Sequence, residues 1–181
     1  KAAILYPPNG LTVFAPCSVP VLVSIDPAQV QGALQSVTLL VNGAPSVALP
    51  PPAFTNTFGM ATSGVATLQA RIVDSGGTNL TGSVQVNAMT VDLSPGVVKI
   101  NDVSAELGAR LRGPGSAELI FYWGPADGGY DPGGWARSQS IGVQTSGVYR
   151  LAVGDLPADA PIYYRCRGLN GATSGWSELN T

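Results

Sequence analysis

The chain has 181 residues, a length that fits one large domain or two domains of ordinary size. Charged residues make up only 11% of it, and nine basic against eleven acidic side chains offer no basic surface to a nucleic acid. Histidine is absent, which excludes catalytic triads, zinc sites and pH switches that depend on imidazole. No run of about 18 apolar residues is present, so the sequence predicts no membrane insertion.

The composition favours short strands joined by turns. Glycine (23 residues) and proline (15) are abundant, the helix formers Lys, Glu and Met are scarce, and Val, Thr and Ser, which suit a pleated surface, are common. Residues 1–92 carry only two basic and three acidic side chains, so this half must be solvated mainly by neutral polar groups. Such a surface is typical of secreted bacterial β-proteins. No long apolar segment precedes the first turn, so Lys1 is expected to be a mature or trimmed start.

In the first half, apolar and polar residues alternate with a period of two between turn signals. Pro7-Pro8-Asn9-Gly10 separates the first two runs, and Asn42-Gly43 is the strongest hairpin signal. Pro20 predicts that the third run lies at a sheet edge or begins irregularly. The predicted strands are 3–6, 11–14, 19–25, 37–41, 46–49, 54–58, 65–73 and 83–91.

A second series of short runs begins after Leu93-Ser94-Pro95-Gly96. Strands at this spacing, without helical periodicity, predict antiparallel sandwiches. The sequence therefore predicts an all-β chain of two tandem β-sandwich domains, 1–92 and 97–181, joined by the linker 93–96. The strands predicted in the second domain are 97–103, 107–111, 117–123, 138–143, 148–153, 162–168 and 174–179.

Motifs of the first half resemble those of a known family. They are Tyr6-Pro7-Pro8-Asn9-Gly10, Phe14-Ala15-Pro16, Val37-Thr38-Leu39-Leu40-Val41-Asn42-Gly43, Gly64-Val65-Ala66-Thr67-Leu68-Gln69-Ala70 and Val73-Asp74-Ser75-Gly76-Gly77. Together they resemble bacterial Ig-like domains, repeat modules of large secreted and cell-surface proteins. The resemblance spans nearly all of residues 3–91 and implies an Ig-like sandwich.

Motifs of the second half resemble a different module. They are the run from Phe121 to Gly129, then Trp135, Leu156-Pro157, Tyr163-Tyr164-Arg165 and Ser174-Gly175-Trp176-Ser177. Together they resemble a fibronectin type III-like domain of large exported bacterial proteins. Ile162 occupies the position of the family's corner tyrosine, so the hydroxyl-to-backbone bond of that corner is expected only in a shifted register, if at all.

The two resemblances imply a non-enzymatic structural or adhesion protein, secreted or on the cell surface. It would act as a rigid spacer, or as a subunit of a surface assembly or filament. Its partners would be other copies of itself or neighbouring domains of a larger surface protein. The alternative is a carbohydrate-binding accessory module of a secreted enzyme, with a polysaccharide as partner. No cofactor is expected, and an enzyme is disfavoured because no constellation of base, nucleophile or metal ligands stands out.

The loop 123–135 is the most distinctive stretch. Tyr130 and Trp135, and Trp176 further along, could form an aromatic platform for a sugar, while Asp127 and Asp131 could accept hydroxyl hydrogen bonds or bind Ca²⁺. The structural interpretation is that glycines supply positive φ, aspartates cap turns and tryptophans cover the end of the sandwich. We favour it because the spacing matches no dedicated calcium loop. A glycosidase pair of these aspartates is disfavoured because one loop offers no cleft.

Two further features have alternative interpretations. Each predicted domain contains one cysteine, Cys17 or Cys166, and buried free thiols are favoured over an interdomain or intersubunit bridge. Tyr163, Arg165 and Arg167 alternate outward on one strand. This stripe could bind an acidic partner, but cation–π packing on the sheet face is favoured.

Overall fold

The computed structural model describes residues 2–180, which form antiparallel strands and confirm the all-β sandwich class. The strands are β1 (Ala2–Tyr6), β2 (Leu11–Phe14), β3 (Cys17–Ile25), β4 (Leu34–Val41), β5 (Ala44–Ala48), β6 (Thr55–Met60), β7 (Gly64–Asp74), β8 (Gly77–Leu80), β9 (Val84–Asp92), β10 (Val98–Asn101), β11 (Ser104–Gly124), β12 (Arg137–Val153), β13 (Tyr163–Asn170) and β14 (Thr173–Trp176). Short 3₁₀ turns occupy Pro27–Gln29 and Pro132–Gly134. No helix within the described range is long and apolar enough to cross a membrane.

The chain divides into two compact units. Over the described residues, the first unit comprises 2–12 and 16–88, and the second comprises 13–15 and 89–180. The second unit therefore includes three residues from the N-terminal part of the chain, and it begins ahead of the predicted linker at 93–96. The domain limits 1–92 and 97–181 remain a prediction about where separable domains begin and end.

The first unit contains a sheet in which β3 lies between β1 and β6, and another ordered β5, β4, β7, β9. β8 pairs with β7 as a hairpin. Along β3 and β7, every second residue is buried, as the period-two pattern predicts. The buried apolar side chains of this unit are Val19, Val21, Val23, Val37, Leu39, Leu40, Leu49, Phe58, Ala66, Leu68, Ala70, Ile72, Val86 and Ala88.

Pro20 does not mark an edge strand, because β3 is central in its sheet. The prediction of an edge strand was therefore wrong for β3 as a whole, and the reason lies in the pairing around Pro20 itself. β1 pairs only with the end of β3, from Leu22 to Ile25, whereas Pro20 lies opposite Thr57 of β6. At Pro20 the strand has a partner on one side only, so the missing N–H removes no bond to β1.

Two long strands, β11 and β12, build the second unit and pair with each other along their length, while β11 changes its other neighbours midway. The first half of β11 pairs with the second half of β12, and on its other side with β10 and the end of β9. The second half of β11 pairs with the first half of β12 and with β13, which pairs with β14. The switch falls at Gly113 and Gly115, whose φ values of +103° and +108° favour glycine.

A single hydrophobic core fills the second unit between these pairings. Alternate residues of β11 supply most of it. Its buried members are Phe14, Met89, Val91, Ala105, Leu107, Ala109, Leu111, Ala117, Leu119, Phe121, Trp123, Leu151, Val153, Tyr164 and Cys166.

The ring of Phe14 in β2 packs against two glycines of this core and leaves no room for a side chain at either. Gly168 of β13 and Gly175 of β14 lie directly opposite each other. A Cβ atom at either position would lie 2.6 Å from a ring carbon of Phe14. The ring therefore packs where both strands lack side chains.

Candidate functional site

The outward face of β11, β13 and β14 carries a cluster of aromatic and arginine side chains. Because side chains alternate along a strand, Arg165 and Arg167 project to the face opposite the buried Tyr164 and Cys166. Strand register then aligns neighbours across the sheet: Tyr122 of β11 lies opposite Arg165, and Trp176 of β14 lies opposite Arg167. The loop 125–136, which joins β11 to β12, completes this aromatic–arginine cluster.

Short-range turn chemistry shapes the loop 125–136. The carboxylate of Asp127 accepts a hydrogen bond from Gly129 N at 2.9 Å, and that of Asp131 accepts one from Gly133 N at 3.0 Å. Asp131 also caps the 3₁₀ turn that follows it. Gly128 has no room for a side chain, because a Cβ there would lie 2.6 Å from the backbone of Gly134. The two ends of the loop therefore touch, and the loop is closely packed.

Arg165 connects the loop, β13 and the C-terminal segment. Its Nε and Nη2 donate to Asp127 Oδ1 and Oδ2 at 3.2 and 3.0 Å, and its Nη1 donates to Ser177 O at 3.2 Å. The guanidinium also lies 4.6 Å from the centre of the Tyr130 ring. Arg165 is only 7% exposed. A charge this buried is stable only with such partners, and the fork geometry of arginine suits the bidentate carboxylate.

The ion pair changes the acidity of Asp127. The hydrogen bonds from Arg165, followed by the one from Gly129 N, hold the pKa of this carboxyl below its ordinary value. Asp127 therefore stays ionised across the physiological range. Its charge is taken up by Arg165 within the chain, which makes it a poor candidate for a general acid.

The aromatic rings form a continuous series beside Arg165. Ring centres are separated by 6.5 Å between Trp135 and Tyr122, by 4.9 Å between Tyr122 and Trp176, and by 6.3 Å between Trp176 and Tyr130. The guanidinium of Arg167 lies 5.5 Å from the centre of the Trp176 ring. The predicted cation–π packing of the two arginines is thus confirmed.

The four residues predicted as sugar contacts come together in one loop but differ in exposure. Tyr130 is 67% exposed, whereas Trp135 is 8% exposed and its Nε1 donates to Gly129 O at 3.2 Å. Asp127 is engaged by Arg165, and Asp131 shapes a turn. Tyr130 is therefore the member of the set that presents a ring to solvent, and Trp135 leaves little surface for stacking on a sugar.

The sequence interpretation missed Tyr122 and Ser177. Tyr122 is buried at 5% exposure under the loop, on the face opposite Phe121 and Trp123. Ser177 is 1% exposed, and its hydroxyl accepts from Cys166 N at 2.9 Å while its carbonyl accepts from Arg165. The alternation around Tyr122 could have revealed its outward position. The role of Ser177 has no local signal, because its partners lie on a different strand.

Both cysteines are free thiols in this structure, as the favoured interpretation expects, and an interdomain or intersubunit bridge stays a prediction. Burial raises the pKa of the Cys166 thiol to about 12, and its side chain is 0% exposed. Cys17 is only half-buried, and burial raises its pKa as well. Neither thiol is activated as a nucleophile or metal ligand.

A tyrosine hydroxyl does bond to the backbone in the second unit, through Tyr164 rather than position 162. Its hydroxyl donates to Gly108 O at 3.3 Å, and its side chain is 1% exposed. The acceptor belongs to β11, far away in sequence. The bond therefore joins β13 to the first half of β11, which does not pair with β13, whereas a tyrosine corner bonds a few residues upstream.

The first unit has a cavity of about 300 Å³ near the β7–β8 hairpin. Asp74 lines it and is 4% exposed. Its two carboxylate oxygens accept from Gln31 N at 3.0 Å and from Gly76 N at 2.8 Å, which lowers its pKa. These bonds tie a connecting loop to the hairpin and give the carboxylate a structural role. Within residues 2–180, no three His, Cys, Asp or Glu side chains are grouped to hold a metal ion.

No protein-family model matches the chain, and no curated protein sequence matches it. A solved structure of fibronectin(III)-like modules of CbhA from Clostridium thermocellum aligns over 50% of this chain and 98% of that one, with 10% identity and a TM-score of 0.42. A crystal structure of the FN1-FN3 domains of chicken CNTN1 aligns over 96% of this chain and 67% of that one, with 10% identity and a TM-score of 0.36.

Proposed function

We propose that the chain is a non-enzymatic extracellular structural protein, which acts as a rigid spacer or as a subunit of a surface assembly. The observation that carries this proposal is the bracing of the second unit by Arg165. Through its side chain, this residue bonds the loop at Asp127 and the C-terminal segment at Ser177, from a position on β13. The carboxylate of Asp127 in the loop 125–136 thus serves to hold the loop to β13. A spacer needs this kind of rigidity, whereas a catalytic loop must leave such groups available to a substrate.

We further propose an Ig-like first unit and a fibronectin type III-like second unit. In the first unit, β1, β3 and β6 correspond in order to strands A, B and E of an Ig sandwich. β9, β7, β4 and β5 correspond to strands G, F, C and C′ of its other sheet. Domains of these types occur in tandem in cell-surface proteins, which supports the extracellular location. The buried Cys166 also suits an oxidising compartment, because a thiol this inaccessible resists oxidation.

The assembly role has a candidate surface at β10. This strand pairs only with β11 within the described residues, so its other edge is open. Val98 and Ile100 on it are 45% and 55% exposed, and Val97 and Val103 beside it are 42% and 47% exposed. An open apolar edge favours pairing with another chain. Multi-angle light scattering over a range of concentrations separates the two roles: a constant monomer mass indicates a spacer, and a rising mass indicates an assembly subunit.

Limited proteolysis tests the rigidity on which the proposal rests. With a protease of broad specificity, we expect native protein to resist cleavage in the loop 125–136 and to be cut first in the exposed loop 154–161. Asp127→Asn should expose the first loop to cleavage, whereas Asp131→Asn should not. If the wild-type loop 125–136 were cut as fast as 154–161, the loop would be mobile and the rigid-module proposal would fail.

A second candidate function is carbohydrate binding, favoured by Tyr130. Its ring is 67% exposed but is held by Arg165 on one face and by Trp176 at its edge. An exposed aromatic ring that is already immobilised loses little entropy on binding and suits stacking on a sugar. Native gels that contain an immobile polysaccharide test this function. The polysaccharide should retard the wild-type protein and should not retard Tyr130→Ala.

A further inference from the structure

Arg167 carries a charge that the chain does not neutralise. Its Nη2 donates to Ser174 Oγ at 3.1 Å, and its Nε makes no hydrogen bond within the described residues. No carboxylate in residues 2–180 lies within ion-pair distance of it, whereas Arg165, two positions earlier, is paired with Asp127. The aromatic–arginine cluster therefore ends in an uncompensated positive charge.

Trp176 links this charge to the exposed ring of Tyr130. The indole contacts the guanidinium of Arg167 at 5.5 Å and meets the Tyr130 ring edge-to-face at 6.3 Å. Arg167 and Trp176 are cross-strand partners, and both are partly exposed. A flat stacking surface and a cation thus lie on one face, separated by a single ring.

We propose that Tyr130, Trp176 and Arg167 form a recognition surface for an acidic polysaccharide built from uronic acid units. This inference rests on the second proposed function, carbohydrate binding. The apolar C–H face of one pyranose ring stacks on Tyr130, and the carboxylate of a neighbouring unit accepts hydrogen bonds from Arg167. Arg165 is a positioning residue, since its guanidinium holds the Tyr130 ring in place.

The distinction between acidic and neutral sugars follows from the charge of Arg167. Its guanidinium is partly desolvated against Trp176, where a carboxylate partner gains more than it would in water. Glu118 lies on the outward face of β11, where its carboxylate accepts from Ser140 Oγ at 2.6 Å. Glu118 precedes Ile120, the cross-strand partner of Arg167, by two residues on the same face, so its negative charge repels an anionic ligand and its neutralisation should favour binding.

Native affinity electrophoresis tests the inference, with polygalacturonate as the probe and its methyl ester as the matched neutral polymer. The wild type should be retained by the acid and less by the ester. Arg167→Gln should weaken retention by the acid about tenfold, the effect of losing a charge-assisted hydrogen bond. Tyr130→Ala should abolish retention by both polymers, and Glu118→Gln should strengthen retention by the acid. Arg137→Gln, which makes the same charge change on β12, is the control and should have no effect.

The outcomes separate this inference from the function on which it rests. Equal retention by acid and ester, unchanged in Arg167→Gln, would overturn the acidic preference and leave carbohydrate binding in place. Retention by xylan or glucomannan but not by polygalacturonate, alginate or hyaluronate would do the same. No retention by any of these polymers would overturn both. If polyglutamate retained the protein as strongly, and Tyr130→Ala did not matter, the surface would be a simple ion exchanger and the inference would be wrong.

Discussion

Replacing Phe14 by alanine should destabilise the second unit, although this residue lies near the N-terminus of the chain. Phe14 is 6% exposed and belongs to the hydrophobic core of that unit. Truncating a buried phenylalanine costs about 3–5 kcal/mol, and the cost grows with the cavity that remains. Here the ring covers the glycine pair Gly168 and Gly175, which has no side chains to fill the space. We therefore expect a loss of about 4–5 kcal/mol, the upper part of that range.

Tryptophan fluorescence measures this loss selectively. Trp123, Trp135 and Trp176, the only tryptophans of the chain, all lie in the second unit. In urea, the fluorescence midpoint of Phe14→Ala should fall by about 2 M, given an m-value of about 2 kcal/mol/M. Phe58→Ala is the matched control, because Phe58 is 5% exposed but lies in the first unit. A larger shift for Phe58→Ala than for Phe14→Ala would refute the assignment of Phe14 to the second core.

Two further predictions concern charge and thiols. At neutral pH, Asp127→Asn should lower the midpoint of urea unfolding followed by tryptophan fluorescence, and Asp131→Asn should not. Both variants keep a turn-capping oxygen, but only Asp127→Asn loses the ion pair with Arg165. Because Arg165 lowers the pKa of Asp127, the ion pair stabilises the fold above the ordinary carboxyl pKa. This contribution disappears as pH falls through the lowered pKa, so the two midpoints should converge in acid; equal midpoints at neutral pH would contradict the reasoning. In a thiol titration, Cys17 should react in native protein, whereas Cys166, buried and with its pKa raised to about 12, should react only in denaturant. Rapid reaction of both thiols without denaturant would show that Cys166 is accessible.

Period-two alternation predicted most of the fold because burial on one face of a strand is a local property. Along β11, alternate residues from Ala105 to Leu111 and from Ala117 to Trp123 are buried, as their apolar character indicates. The pattern did not show that these two runs form one strand. Gly113-Pro114-Gly115 is typical of a turn, and whether the backbone stays extended there depends on pairing with β12. The sequence analysis also missed β8. All residues of Gly77–Leu80 are exposed, so the strand has no buried face and no period-two pattern.

The candidate site was predictable only in part. The turn-forming roles of Asp127 and Asp131 depend on residues two positions away, so the sequence indicates them directly. The burial of Trp135 and the pairing of Arg165 with Asp127 depend on how β13 aligns with β11, a contact between distant parts of the chain. Single-sequence patterns do not contain that alignment. The same limitation concealed Tyr122, which is on the outward face but is covered by the loop.

Arg165 and Arg167 show how one strand face can support both a structural and a binding role. They project the same way from β13 and each contacts an aromatic ring. Arg165 is covered by the loop and is 7% exposed, and burial at this depth requires the compensating carboxylate of Asp127. Arg167 lies beyond the loop, remains partly exposed and therefore needs no internal partner. The loop that makes Arg165 structural thus leaves Arg167 charged and accessible beside Tyr130, and this combination is what an acidic sugar can recognise.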